Sequence, residues 1–306
     1  MLKYAVYWFV FQVLGRLPAP VLYRIAAVVA AVSYVLAARA RRNVWDNLRH
    51  VMPPGTPKRE MRRQARRIFG NAAMYYADIA QLPHMDVDRF FRERLVIRGV
   101  EEHLRPCLAE GCGVVMLTGH YGNPELAMQG LVPLGIKITA LTEPVQPPAL
   151  SRMMDRHRRS KGLEFLPVSV GSVKRVWQVL KQGGVVALTG DRDIHGPKQM
   201  LPFCGVRTLM PTGPIEIALR TGAVVIPAFS ARREGNKIEA IVEEPLDIPR
   251  TDDFEADVRA GELAFLQRFE RRLREEPGQW SVLEAIWDVS DAPTAVEDKS
   301  TAEVWK

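Results

Sequence analysis

The chain has 306 residues, 47% of them apolar and 25% charged, enough to bury a full core and too apolar for a disordered or fibrous protein. Three cysteines, Cys107, Cys112 and Cys204, show neither paired spacing nor a neighbouring histidine cluster, so no disulfide framework and no metal site is indicated, and a reducing, cytoplasm-facing domain is expected. A net charge of +7 suits an anionic partner, but no nucleic-acid motif or aromatic stacking pattern accompanies the arginines, which argues against nucleic acid.

The N-terminus is apolar in two runs. Residues 4–14 are broken only by Gln12, and after Leu17-Pro18-Ala19-Pro20 residues 21–38 are apolar except for Arg24 and Ser33. The first run is short for about 30 Å of hydrocarbon; the second sits near the length of a span, with Arg24 close enough to its end to snorkel. No small-residue cleavage site follows, so residues 1–42 are expected to form a retained helical membrane anchor, either an embedded hairpin or one span. Residues 1–67 hold thirteen Lys or Arg against Asp46 and Glu60, a net of +11, so all of the net positive charge lies beside the apolar runs. Arg39, Arg41 and Arg42 directly after an apolar run follow the positive-inside pattern and suit an anionic membrane surface.

Beyond the anchor, residues 58–82 read as a helix with Met61, Ala65, Ile68, Ala72 and Tyr75 or Tyr76 on one face. Residues 96–98 are a short strand, 101–109 helical, 114–118 a buried strand. A strand at 136–141, a proline-rich loop at 144–148 and a basic helix at 150–161 follow. Ser172 is expected to cap a helix that Gly183-Gly184 ends, before a strand at 185–188 delivers Gly190-Asp191-Arg192-Asp193. A helix at 214–221, strands at 224–228 and 238–242, and a closing helix at 254–275 complete the pattern. Such alternation argues an α/β sheet with helices on both faces over residues 43–288, with a disordered tail at 289–306.

Between the strand at 114–118 and the next helix stands Gly119-His120-Tyr121-Gly122-Asn123-Pro124-Glu125. Asn123 is a good N-cap and Pro124 suits the first helical position, which predicts strand, turn and helix. A lone His and Glu are more often structural. Here the flanking glycines, the cap and the placement at a strand's C-terminal end, where open α/β sheets build their sites, favour an acid-base pair with His120 as base and Glu125 holding its ring.

These residues resemble the late acyltransferases of lipid A assembly (lauroyl and myristoyl), a branch of the lysophospholipid acyltransferase superfamily that also includes the acyltransferases of phosphatidylinositol mannosides. The seven-residue block is similar to that branch's first block. Gly190-Asp191-Arg192-Asp193 with Leu201-Pro202-Phe203 resembles its second, closest to the mannoside enzymes, and Pro211-Thr212-Gly213-Pro214 through Pro227 its third, over about residues 20–285. The resemblance implies a glycerolipid acyltransferase-like fold, with a central mixed, mostly parallel sheet flanked by helices. It implies transfer of a fatty acyl chain from acyl carrier protein (ACP) or coenzyme A (CoA) to a hydroxyl of a membrane glycolipid, at the cytoplasmic face of a bacterial inner membrane, with no cofactor beyond the thioester co-substrate. By the same resemblance Arg158 and Asp191 match family positions.

Alcohol attack on a thioester needs a base, typically worth about 10²–10⁴-fold, and His120 is the candidate. No Gly-x-Ser-x-Gly elbow is present and Cys112 precedes the strand, so direct transfer is expected rather than an acyl-enzyme. Backbone amides around Gly122 and Asn123 could serve the oxyanion, while Arg158, Arg159 or Arg192 could hold phosphate in a guanidinium fork. Asp191 and Asp193 flank Arg192, which favours a structural or substrate-orienting salt bridge over magnesium. The same base could instead activate water in a lipid ester or thioester hydrolase, and a non-catalytic lipid binder is the third reading.

Overall fold

In the computed structural model, which describes residues 2–192 and 196–287, the chain opens with α1 (Leu2–Gln12), α2 (Ala19–Leu36), α3 (Ala38–Val51), α4 (Lys58–Gln81) and α5 (Val87–Arg94). Next come β1 (Leu95–Arg98), α6 (Arg105–Ala109), β2 (Val114–Thr118), α7 (Pro124–Gln129), β3 (Ile138–Thr142), α8 (Pro148–Arg158), β4 (Glu164–Pro167), α9 (Val170–Lys181) and β5 (Val185–Thr189). The described chain ends with β6 (Lys198–Phe203), β7 (Val206–Pro211), α10 (Gly213–Thr221), β8 (Val224–Arg232), β9 (Ile238–Val242) and α11 (Phe254–Glu275). Asp193 and residues 289–306, for which a second acid and a tail were expected, lie outside the described residues.

Seven strands form one sheet in the order β1-β9-β8-β2-β5-β3-β4, parallel at every pairing except β8 with β9. The mixed, mostly parallel sheet with flanking helices is therefore the fold. β2 is buried along its whole length because both faces are covered. Val115 and Leu117 enter the core shared with α9, α10 and α11, while Val114 and Met116 enter the core on the opposite face, where α7 contributes Met128.

α2 is long and apolar enough to cross a membrane, but one of its faces is committed to the protein. Leu22, Tyr23 and Ala26 pack with Ala77 of α4. The other face leaves Val28, Val29, Val32, Val35 and Leu36 exposed.

Local readings change: α5 and β4 were not expected, and the basic helix ends at Arg158. The cap of α9 is Ser169, whose side chain accepts from the Ser172 N–H, so the helix starts earlier than Ser172. The stretch at 101–109 begins as a wide helical turn over Val100–Leu104 before α6. The β6–β7 hairpin went unread: its turn is Cys204–Gly205, both at positive φ, in the place where Asn-Gly is the usual signal.

Candidate active site

Strand register builds the centre of the site. Thr118, the last residue of β2, pairs with Thr189, the last residue of β5, and the Gly190 N–H donates to the Thr118 carbonyl at 2.9 Å. Two residues beyond that matched pair, His120 and Asp191 leave neighbouring strands side by side. The residues between must be small. A Cβ on Gly119 would lie 2.6 Å from the Phe269 ring, and one on Gly190 2.9 Å from Phe265, so α11 packs directly against both crossing points.

Asp191 is fully buried, and its two oxygens are held by His120 and Trp280. Oδ1 lies 2.8 Å from His120 Nδ1, while Oδ2 accepts from the His120 N–H at 2.9 Å and from Trp280 Nε1 at 2.9 Å. Burial alone would raise this carboxyl; the His120 ring and the donors outweigh it and hold the group below the ordinary carboxylate range. Since a carboxylate only accepts, Nδ1 carries the ring proton and the lone pair of the neutral ring falls on Nε2. Nε2 makes no hydrogen bond among the described residues, and the His120 side chain is about one-third exposed (32%).

The acid that orients His120 is thus Asp191 and not Glu125. Glu125 is spent elsewhere: Arg158 donates Nε to Oε2 at 2.8 Å and a terminal nitrogen to Oε1 at 2.9 Å, and the Tyr75 hydroxyl donates to Oε1 at 2.5 Å. The reason is geometric and electrostatic. Arg158 is 5% exposed, and leaving a buried guanidinium unpaired costs about 3–5 kcal/mol, more than a single bond to an imidazole returns. Burial alone would lower the Arg158 guanidinium; Glu125 and Tyr75 overcompensate and push it well above its ordinary value.

The remaining expected site residues divide. Arg158 grips Glu125 in place of a phosphate, and Arg159 donates to the Phe165 carbonyl in a structural contact. Gly122, at φ +65°, gives its N–H to the Gln279 carbonyl at 2.8 Å and so is not an oxyanion donor in this arrangement. Asn123 caps α7 through the Leu126 N–H at 3.0 Å. Arg192 stands next to Asp191 and reaches Glu143 at 2.9 Å and Glu284 at 3.3 Å. Asp191, expected at the substrate, is fully buried, and its Oδ1 contacts the His120 ring. Sequence reasoning missed Trp280, Gln279 and Tyr75 as site residues. The first two come from a segment whose Trp280 bridges Tyr121 and whose Ser281 N–H donates to the His120 carbonyl at 2.8 Å. Tyr75 gave a signal only as one of two tyrosines on the apolar face of α4.

Beneath the turn, between α7 and the sheet, lies an apolar cavity of about 40 Å³ lined by Thr118, Pro124, Met116, Met128, Leu131 and Phe229 among others.

Residues 1–288 match the family model described as bacterial lipid A biosynthesis acyltransferase. The chain belongs to that family. The acyltransferase is also similar to the phosphatidylinositol mannoside acyltransferase of Mycobacterium tuberculosis (strain CDC 1551 / Oshkosh), with 29% identity over 229 residues, 72% of this chain and 70% of the relative. The protein of the same name from Mycolicibacterium smegmatis (strain ATCC 700084 / mc(2)155) is 29% identical over 228 residues, covering 72% and 71%. It is therefore an acyl-transferring enzyme, and the His120–Asp191 and Glu125–Arg158 pairs lie within the matched family region.

Proposed function

We propose that this acyltransferase moves a fatty acyl chain from the thioester of acyl carrier protein or coenzyme A to a sugar hydroxyl of a phosphate-bearing membrane glycolipid, by direct transfer with His120 as general base. The carrying observation is the 2.8 Å contact of His120 Nδ1 with buried Asp191, which leaves the lone pair on Nε2 of a side chain that is itself partly exposed. In the reaction Nε2 takes the hydroxyl proton as the oxygen attacks the thioester carbonyl. The C–O bond forms, the oxyanion collapses, the C–S bond breaks, and the imidazolium returns its proton to the leaving thiolate. Asp191 keeps the ring aimed and stabilises its charge in between. No cofactor is required by this scheme.

Several features support the assignment of substrates. The family and the relatives both take their names from glycolipid acylation, one from lipid A and the other from phosphatidylinositol mannoside. Arg192 is the charged side chain next to the pair best suited to a phosphate, trading Glu143 or Glu284 for it. The cavity under α7 is too small for a whole chain, but Met116 and Met128 line it and methionines repack readily around an entering acyl group. The exposed apolar face of α2 and the basic charge of residues 1–67 fit a location on the inner membrane with the catalytic sheet on the cytoplasmic side, where thioester donors are made.

The test is transfer of labelled acyl groups from ACP and CoA thioesters to membrane lipid by the wild type and by His120→Ala. Loss of about 10²-fold or more in kcat is expected. Equal transfer by both proteins would remove His120 from the mechanism, and thioester cleavage that no acceptor lipid diverts into product would make the enzyme a hydrolase.

A further inference from the structure

Asp78 of α4 has no role in the chemistry above, yet its carboxylate, 1% exposed, is where several elements meet. Oδ1 accepts from the Tyr23 hydroxyl of α2 at 2.6 Å. Oδ2 accepts from the side-chain amide of Asn123 at 2.7 Å and from the guanidinium of Arg232 at the end of β8. Tyr23 in turn accepts from Arg94 of α5 at 2.8 Å. From the far side, Arg232 exchanges two backbone bonds with the side chain of Gln279, at 3.0 and 2.9 Å, and the Gln279 carbonyl holds the Gly122 N–H.

The consequence for Asn123 is directional. An amide has one accepting end and one donating end. A carboxylate can only accept, so Asn123 turns its NH2 to Asp78 and its Oδ1 is left facing the Leu126 N–H, which is the cap of α7. That helix starts one residue before Glu125, and Gly122 immediately precedes the cap. Asp78 therefore determines which way the cap points, and the cap determines where the turn ends.

We propose that Asp78 is a positioning residue for the catalytic turn and that, through Tyr23, it makes the seating of α2 on α4 a condition for an assembled active site. The proposal rests on the reading of His120 as the base. It gives α2 a second duty: the helix that carries the exposed apolar face also holds one oxygen of the carboxylate that aims the cap.

The discriminating variant is Asn123→Asp. Aspartate caps helices as well as asparagine does, so a purely local cap predicts no change. With Asp78 opposite, two carboxylates meet. The expected result is a roughly tenfold fall in hydrogen-exchange protection of the Leu126 amide and a roughly tenfold fall in kcat, with KM for the thioester little changed. Asn123→Ser, which keeps a cap oxygen but is too short to reach Asp78, gives the same comparison in a less charged background should Asn123→Asp not fold. Tyr23→Phe, assayed in detergent with solubilised acceptor so that membrane attachment is not the variable, should lower kcat a few-fold.

Wild-type protection and kcat in Asn123→Asp, or in Asn123→Ser should the first variant not fold, would overturn the positioning role. An unchanged Tyr23→Phe would remove α2 from it. Exchange protection that follows the expected pattern in a wild type that transfers no acyl group would uphold the positioning of the turn and refute the reaction assigned to it.

Discussion

The two oxygens of Asp191 have separate duties, and the difference predicts what an isosteric change does. Oδ2 is fixed as an acceptor by two N–H donors, the His120 backbone and the Trp280 indole. In Asp191→Asn the amide oxygen must stay at that position, so the NH2 faces His120 Nδ1 and forces the ring proton onto Nε2. On the proposed mechanism, the base then has its lone pair on the wrong nitrogen. We expect kcat to fall by about 10²–10⁴-fold with the fold intact, and the ring ¹⁵N shifts of His120 to report the reversed tautomer. A variant within threefold of wild type would show that Asp191 does not set the tautomer. Linkage gives an independent check. Because the folded carboxyl is held below its unfolded value of about 3.9, its contribution to stability is present above that pH and is lost as pH falls through the folded value. The stability gap between wild type and Asp191→Asn should therefore narrow on acidification below about pH 4.

At the level of elements, α11 carries an opposite case. Glu262 is fully buried and neither of its carboxyl oxygens has a partner among the described residues. Burial pushes its carboxyl well above the ordinary value, so the folded state holds a proton that the unfolded state releases. The sign is the reverse of Asp191: stability falls as pH rises from about 4.3 toward the folded value. Glu262→Met, similar in volume and without a polar end, should raise stability at neutral pH by about 1–3 kcal/mol, measured by urea denaturation at pH 5 and pH 7.5, with the larger gain at the higher pH. No gain at either pH would mean that the carboxyl has a compensating partner. The elements themselves were largely legible in the chain. The apolar run of β2, the Asn123 cap and Pro124 announce strand, turn and helix from local chemistry alone, and α11 matches its expected span to the residue. The pairing of His120 with Asp191 was not legible, because it depends on the register of β2 with β5 across 71 residues, which no local pattern encodes. Glu125, five residues after His120, looked the nearer partner, and the burial of Arg158 explains why it is engaged elsewhere.

Over the whole molecule, charge and apolar surface lie together. Residues 1–67 carry +11 of a chain whose total is +7, and the outer face of α2 presents Val28, Val32 and Val35 beside them. Because the inner face of α2 is packed on α4, binding to anionic vesicles should combine an apolar part with an electrostatic part of about 1 kcal/mol per basic residue near the surface. Raising salt from 0.1 to 1 M shortens the screening length from about 10 to about 3 Å and should weaken, but not abolish, co-sedimentation of the wild type. Val28→Asp with Val32→Asp should leave binding that salt removes entirely. Equal sedimentation of wild type and variant at high salt would show that this face does not enter the bilayer.

The pairing of Tyr121 with Trp280 has a consequence for the order of events during synthesis. A ribosome releases α1 and α2 first, and the chain can complete its sheet through β9 while residues 279–281 are still to come. Until they arrive, Asp191 lacks the indole that fixes its second oxygen and Gly122 lacks its carbonyl. On the proposed function, the apolar face of α2 is thus made well before the turn that holds His120 can be completed.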